Sequence, residues 1–525
     1  MKDAIELILN KNDYTFSVSG CLGSNFRDIE SLNFSNRNEV SIVSDGAFFK
    51  ELCIPACPGF DLFIYETENY YYISNLISFF SQFDLAVDKG IKEVFCYKSY
   101  CPPGMTLFVG LSRLLPGSRY ALNDSMLSRE KVDYSKEHGA NGDLVAAAKK
   151  LFNKVDFKAE RVGIFFSGGV DSFSLAKMLH DKGVPFTLYV AREYPEYKEN
   201  LTDVLRSRQI AEHMGWDLVE VTVEYQSLDS VLLKRYAEKM PICSHLCVIF
   251  DNVASRMKSD NVTLALCGQN LDNLYSYGLT EKVSLSYRGA LSFFRRFYLN
   301  PVFLDNYYSG FSKRLLVLLP AYIGLVGFSI LRRSMQWRIP RTIDELISCF
   351  CASSENVIFR SKLSTSSIES TPLEGNPSSI VRKSVLENRV ESYLASGASL
   401  AIFSACRFNN IRPWLVYSDE YLLPEYFAIT ETAVDIIRPK QQLYNYCFGS
   451  DQDLYSEWTR LGKYEENLPN YHEWVEKCFL HTKFGSIFYK DFQRTKLDGV
   501  TGAITISQSL SRHWINLVLK LSKDA

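Results

Sequence analysis

The sequence predicts an α/β protein. A β-rich N-terminal module, residues 1–135, precedes a parallel-sheet domain, residues 136–525, whose C-terminal part is largely helical. Three observations predict it. Residues 161–183, "RVGIFFSGGVDSFSLAKMLHDKG", run from an apolar strand pattern through a glycine-rich turn into an amphipathic helix pattern. Downstream, strand and helix patterns alternate, which is the signature of a parallel sheet with helices on both faces. Upstream, short apolar runs are broken by turns, as in antiparallel sheets.

In chain order, "ELCIPAC" (51–57), "FDLFIYE" (60–66) and "NYYYISN" (69–75) read as strands of the first module. Val162 to Phe166 reads as the first parallel strand. Leu175, Met178 and Leu179 recur at helical spacing after it, and Gly183 stands where a helix C-terminus prefers a left-handed residue. "PFTLYVA" (185–191), "DLVEVTV" (217–223) and "VTLALCG" (262–268) read as further strands. "LTDVLRSRQIAEHMG", closed by Gly215, and "VIFDNVASRMKSD" read as the helices between them. "SKLSTSSIESTPLEGNPSS" (361–379) reads as an exposed linker, within an insertion spanning about 280–400.

Composition narrows the function. A chain of 525 residues predicts two or more domains, and 46% hydrophobic with 22% charged residues is ordinary for a soluble protein. A net charge of −2 offers no basic footprint, so a nucleic-acid partner is not expected. The 13 cysteines are scattered, and "MKDAIELILNKND" has acids early and no long apolar core, so a reducing cytoplasm is expected. "CIPAC" (Cys53, Cys57) and "CSHLC" (Cys243, His245, Cys247) lack the paired spacing of a zinc site. Residues 313–333, "KRLLVLLPAYIGLVGFSILRR", hold an apolar run broken by Pro320, Gly324 and Gly327, at the short limit for a bilayer span. A buried helical pair or hairpin is expected there. The alternative is a peripheral membrane contact through Lys313, Arg314, Arg332 and Arg333.

Chemistry concentrates in Ser167-Gly168-Gly169-Val170-Asp171-Ser172. A helix start presents unpaired N–H groups to an anion, and two glycines let the backbone approach it closely. Ser167 and Ser172 add hydroxyl donors, and Asp171 is suited to a Mg²⁺ ion bridging phosphate oxygens. A turn built for geometry alone requires neither the acid nor both serines, so the expected ligand is a polyphosphate. The Walker A loop is excluded, because the turn has no lysine and the glycine spacing differs.

The hexapeptide resembles the PP-loop of the N-type ATP pyrophosphatases, which cleave ATP between the α and β phosphates. That resemblance implies ATP and Mg²⁺ as cofactors. It places Ser167, Gly168, Gly169, Val170, Asp171 and Ser172 on the phosphates, with Tyr189, Val190 and Gly268 beside the nucleotide. "TLFVGLSRLLPGSRYAL" (106–122) is similar to the end of the N-terminal glutaminase domain of asparagine synthetase-like enzymes, through Arg113, Leu114, Pro116 and Gly117. "VTLALCGQNLDNLYSYG" (262–278) is similar to that family's strand and S-G-E-G turn, through Gly268, Asp272 and Leu274. The resemblance implies Asp171 and Asp272 as the Mg²⁺ ligands. A third block, residues 409–446, implies that Lys440 faces the transferring phosphate.

Two departures shape the expectation. Lys2 stands where the family's glutaminase has its nucleophilic cysteine, and the nearest cysteine is Cys21, so the first module is expected to be a degenerate glutaminase-like domain. Gln269 and Asn270 replace Glu and Gly, and an amide is no general base, so Gln269 is expected to orient a substrate by hydrogen bonds. The implied activity is an ATP-dependent, AMP-forming amidoligase without its own glutaminase. It would join a small-molecule, glycan or peptide carboxylate to an amine or ammonia, as the related β-lactam synthetases and lasso-peptide cyclases join groups within one substrate. "YRGALSFFRRFYLNPVFLDNYYSGF" (287–311) reads as aromatic core or as an acceptor site. The rival readings are a pseudoenzyme that only binds nucleotide and a tRNA thiolase using Cys267 or Cys243.

Overall fold

The computed structural model describes residues 6–19, 26–29, 40–98, 101, 104–134, 139–193, 198–228, 230–231, 246–271, 274, 398–428, 440–449, 451–462 and 514. Lys2, Cys21, Cys243, His245, Asp272 and the segments 287–311, 313–333 and 361–379 lie outside them.

The N-terminal part is a pair of sheets. Its strands are β1 (Glu6–Asn10), β2 (Phe16–Ser19), β3 (Phe26–Ile29), β4 (Val40–Asp45), β5 (Phe48–Ile54), β6 (Phe63–Glu66), β7 (Tyr70–Ser74), β8 (Leu111–Arg113), β9 (Ser118–Asn123) and β10 (Met126–Lys131). One sheet has the order β2-β1-β7-β6-β8 and the other β10-β9-β5-β4-β3. All pairings are antiparallel except β3 with β4. Alternate residues explain the packing: Leu7 and Leu9, Tyr71 and Ile73 from the first sheet share one buried cluster with Ile42, Leu52, Ile54, Tyr120 and Leu122 from the second. The period of two puts each set on one face, and the two faces bury each other. Helix α1 (Lys89–Lys98) lies between β7 and β8 in sequence.

The second part is built on five parallel strands in the order β13-β12-β11-β14-β15. They are β11 (Val162–Phe165), β12 (Phe186–Arg192), β13 (Leu218–Thr222), β14 (Leu264–Cys267) and β15 (Arg412–Leu415). Every residue of β11 and β14 is buried, as expected of central strands covered on both faces. The helices are α2 (Leu144–Lys154), α3 (Val170–Asp181), α4 (Lys198–Met214), α5 (Leu246–Ser259), α6 (Ala398–Phe408), α7 (Leu423–Ala428), α8 (Gln441–Phe448) and α9 (Gln452–Leu461). Gly183 and Gly215 end their helices at φ +71° and +67°, the left-handed geometry expected of them.

The sheet gains one strand that local pattern did not reveal. β15 comes from residues 412–415, far downstream of β14, and pairs with it in register Leu266 to Trp414. Its single Pro413 is tolerated because β15 is the sheet edge. Buried clusters also cross residue 135. Ala56, Cys57 and Tyr134 belong to the core of the parallel sheet, while Phe63, Phe80 and Phe95 share a cluster with Tyr225, Leu228 and Val248.

Candidate functional site

The strand order places a topological switch point between β11 and β14. The chain leaves β11 for β12 on one side and returns to β14 on the other, opening a crevice at the strands' carboxyl ends. Phe165 and Cys267 are paired partners there, so the turns that follow them face each other across the crevice. One carries Ser167-Gly168-Gly169, and the other carries Gly268-Gln269-Asn270.

The first turn is tight and internally bonded. Gly168 has φ +66°, and a Cβ on it would lie 2.6 Å from the Arg206 Cβ and 2.7 Å from the Ser207 N. Only glycine lets α4 pass this close. The Ser167 N–H donates to Ser172 Oγ at 3.2 Å, and Ser172 Oγ donates to the Gly169 carbonyl at 3.1 Å. Gly169 is the N-cap of α3 and has no side-chain cap. The first amides of that helix have no intrahelical acceptors, so this end suits an anion.

Asp171 lies in the first turn of α3, where helix polarity favours its negative charge. Lys440 Nζ lies 2.7 Å from both Asp171 carboxylate oxygens. Lys440 is 8% exposed, so it is buried with Asp171 and is not a surface cation. It is the N-cap of α8 at φ +63°, a left-handed geometry that a lysine rarely adopts, held while α8 packs on α3. Burial pushes the Tyr444 hydroxyl up to about 12, so it stays protonated next to the pair.

The facing turn, Gly268-Gln269-Asn270, packs directly on α3. A Cβ on Gly268 would lie 3.0 Å from the Asp171 carbonyl carbon and 3.1 Å from its Cβ, so the turn touches the start of α3. Asn270 has φ +76°, a region that glycine enters freely and asparagine more readily than most residues. Its Nδ2 donates to Ser399 Oγ at 2.7 Å and Ser418 Oγ at 2.9 Å. Asn270 therefore holds a backbone conformation that suits glycine and ties the turn to two distant segments.

Between the turns lies a cavity of about 570 Å³. Ser167, Asp171, Ser172, Tyr189, Val190, Gly268 and Gln269 of the expected set line it. Gly168, Gly169 and Val170 shape the loop behind, and Lys440 reaches the site through Asp171. The Tyr189 hydroxyl donates to Asp260 Oδ2 at 3.0 Å, fixing that ring. Glu193, Asn200 and Asp203 also line the cavity and were not expected. Glu193 is held by its N–H to Asn200 Oδ1 at 2.7 Å and accepts from the Tyr225 hydroxyl. They lie in the charged stretch "AREYPEYKENLTD", where nothing in the pattern separates a cavity acid from a solvated one.

Burial pushes the Cys267 thiol up to about 12, so it is not a ready nucleophile. Among the described residues no group of three or more His, Cys, Asp or Glu is placed to hold a metal ion by itself, and no helix is long and apolar enough to cross a membrane. The asparagine synthase family model matches residues 153–288 of the 525, a span that includes both turns and ends before Lys440. No curated protein matches the chain.

Proposed function

We propose that this chain, with an asparagine synthase-type domain at its centre, is an ATP-dependent amidoligase that works through an acyl-adenylate. The observation that carries the reading is Lys440 seated on Asp171 at the phosphate-loop helix, because the pair gathers a cation, an acid and an anion-binding helix end in one crevice. In the proposed reaction a substrate carboxylate oxygen attacks the α phosphorus of ATP and pyrophosphate leaves. An amine or ammonia nitrogen then attacks the acyl carbon, and AMP leaves with the mixed-anhydride oxygen. The cavity volume, about 570 Å³, is ordinary for small-molecule sites. The protein's contribution is orientation and charge stabilisation: loop amides and serine hydroxyls hold the phosphates, and Lys440 faces the charge that develops as pyrophosphate departs.

The residues fit a Mg²⁺ ion. Mg²⁺ takes oxygen ligands, commonly one or two carboxylates together with substrate phosphates, and Asp171 lines the cavity beside the loop. Asp171, with Asp272 as the expected second ligand, would hold it, and the ion would neutralise phosphate charge when bound. We read the N-terminal pair of sheets, residues 1–135, as the degenerate glutaminase-like module, and residues 136–525 as the synthetase domain. No glutamine hydrolysis is assigned to the first part. The acceptor is proposed to be a small-molecule, glycan or peptide carboxylate, in a cytoplasmic setting without nucleic acid.

ATP–pyrophosphate exchange measured against a panel of carboxylates tests the reading. Exchange that depends on one carboxylate class supports it. Tight nucleotide binding with no carboxylate-dependent exchange would identify a nucleotide-binding pseudoenzyme instead. A thiolase reading that uses Cys267 is disfavoured by the burial of that thiol.

A further inference from the structure

The indole of Trp458, on α9, donates its Nε1–H to the Gly168 carbonyl at 2.7 Å. Trp458 is 3% exposed, and its ring is gripped on several sides. The Arg206 guanidinium lies 3.8 Å over it, and Arg206 Nε donates to the Trp458 carbonyl at 3.0 Å. Tyr444 and Phe448 of α8 stand 5.9 and 5.3 Å from it, centroid to centroid. A peptide unit is planar and trans, so its C=O and N–H point in opposite directions. A Gly168 carbonyl held on Trp458 therefore turns the Gly169 N–H to the opposite side, towards Ser167, which lines the cavity. There that N–H donates to Ser167 Oγ at 3.4 Å, a distance long enough to leave it available to a stronger acceptor.

We propose that Trp458 is a positioning residue for phosphate binding: its indole N–H fixes the Gly168–Gly169 peptide so that the Gly169 amide is presented to a pyrophosphate oxygen. This rests on the reading of the loop as a polyphosphate cradle. Glycine needs such a brace, since without one the peptide between two glycines rotates between orientations at little cost. Trp458 lies outside the matched family span, and no motif marks it. Its effect reaches the ligand only through Gly168.

Trp458→Phe keeps a ring and removes the N–H, and Phe448→Leu loosens the same aromatic cluster but leaves the N–H in place. Benzothienylalanine at position 458 is the second variant, keeping the bicyclic shape without the donor, in case the phenylalanine variant folds poorly. Two readouts apply: amide hydrogen exchange of residues 167–172 in the ligand-free protein, and affinity for inorganic pyrophosphate with Mg²⁺. One lost hydrogen bond predicts roughly three- to tenfold weaker pyrophosphate binding and a matching rise in KM for ATP, with kcat changed less. Phe448→Leu should stay within about twofold of the parent in affinity, since packing changes alone leave that bond intact. Unchanged affinity and exchange in both donor-free variants, or an equal loss in Phe448→Leu, overturns the proposal. A parent protein that binds no pyrophosphate would overturn the polyphosphate reading itself. The exchange contrast between donor and donor-free proteins would then still decide whether Trp458 holds the peptide.

Discussion

Lys440 Nζ and the Asp171 carboxylate meet at 2.7 Å across 269 residues of chain, with side chains only 10% and 20% exposed. A pair this sheltered is worth more than a surface ion pair, and removing either member leaves the other charge partly desolvated. Lys440→Met and Asp171→Asn should each cost about 2 kcal/mol, between the surface and fully buried limits. The double variant should cost less than the sum. Urea unfolding of the parent and the three variants checks this, and strict additivity would mean that the two groups do not interact in solution.

The same lysine should govern rate. Charge builds on the α phosphate and the leaving oxygen only as adenylation proceeds, so a fixed ammonium acts more strongly in the transition state than on bound ATP. Lys440→Met is expected to lower pyrophosphate release about a hundredfold to a thousandfold with little change in ATP affinity. Lys158→Met, at an exposed position, is the reference cation. Equal small effects from the two would remove Lys440 from the mechanism.

Much of this site was legible because its loop is local. Ser167 to Ser172 are contiguous, and the chemistry of two glycines, two hydroxyls and an acid before a helix is written in one hexapeptide. The closing glycines, 183 and 215, were legible for the same reason. Lys440 was singled out only through family resemblance, because its contact with Asp171 spans 269 residues. β15 escaped notice because a four-residue strand with a proline carries little pattern. Trp458 and Arg206 act on the loop from helices whose sequences look like ordinary amphipathic surfaces. At position 270 the sequence looked eroded. The left-handed φ of Asn270 is one that asparagine adopts more readily than most residues, which no local pattern could reveal.

The two close-approach glycines should separate stability from activity. Gly168→Ala combines a positive φ with a Cβ 2.6 Å from Arg206 Cβ and 2.7 Å from a backbone nitrogen, neither able to yield cheaply. A loss above about 2 kcal/mol is expected. Gly268→Ala meets Asp171 and Ser172 at 3.0 to 3.1 Å, so a shift of a few tenths of an ångström relieves it. That shift moves the start of α3. Stability should fall by about 1 kcal/mol while turnover falls at least tenfold, read by calorimetry and pyrophosphate release on the same preparation.

Acid should weaken the anchoring of α9. Asp451 caps that helix by accepting the Leu454 N–H at 2.9 Å, and it sits 2.8 Å from His213 Nε2 on α4. The backbone bond from Leu454 is the main reason its carboxyl titrates below the usual range, with His213 adding to it. A lowered folded pKa stabilises the protein above the unfolded value, near 3.9, and that stability is lost as pH falls through the folded pKa. Asp451→Ala should cost about 1 kcal/mol at neutral pH. The gap in melting temperature between parent and variant should narrow below about pH 4. A gap that persists undiminished at the lowest pH would mean that the carboxylate charge contributes nothing to the cap.

The N-terminal sheets and the parallel-sheet domain should unfold together, and Glu420 shows why. Its Oε1 accepts the Ala56 N–H at 2.7 Å and also the Tyr134 hydroxyl, so one carboxylate on the loop before α7 holds two points of the N-terminal half. Around it, Ala56 and Tyr134 are buried in the same cluster as Tyr417 and Leu422. Separation of the halves would expose Tyr225, Leu228 and Val248, which share a buried cluster with Phe63, Phe80 and Phe95. At about 1.5 to 3 kcal/mol for each large side chain returned to water, a folded second half standing alone is disfavoured. Glu420→Gln keeps an acceptor oxygen and should cost about 1 kcal/mol, whereas Glu420→Ala removes both bonds at once and should cost about 2 to 4 kcal/mol. Scanning calorimetry of the full chain and both variants is the measurement. One cooperative transition that shifts as a whole is expected. Two transitions, with only one of them sensitive to Glu420→Ala, would show that the halves are thermodynamically independent and that Glu420 serves a single half.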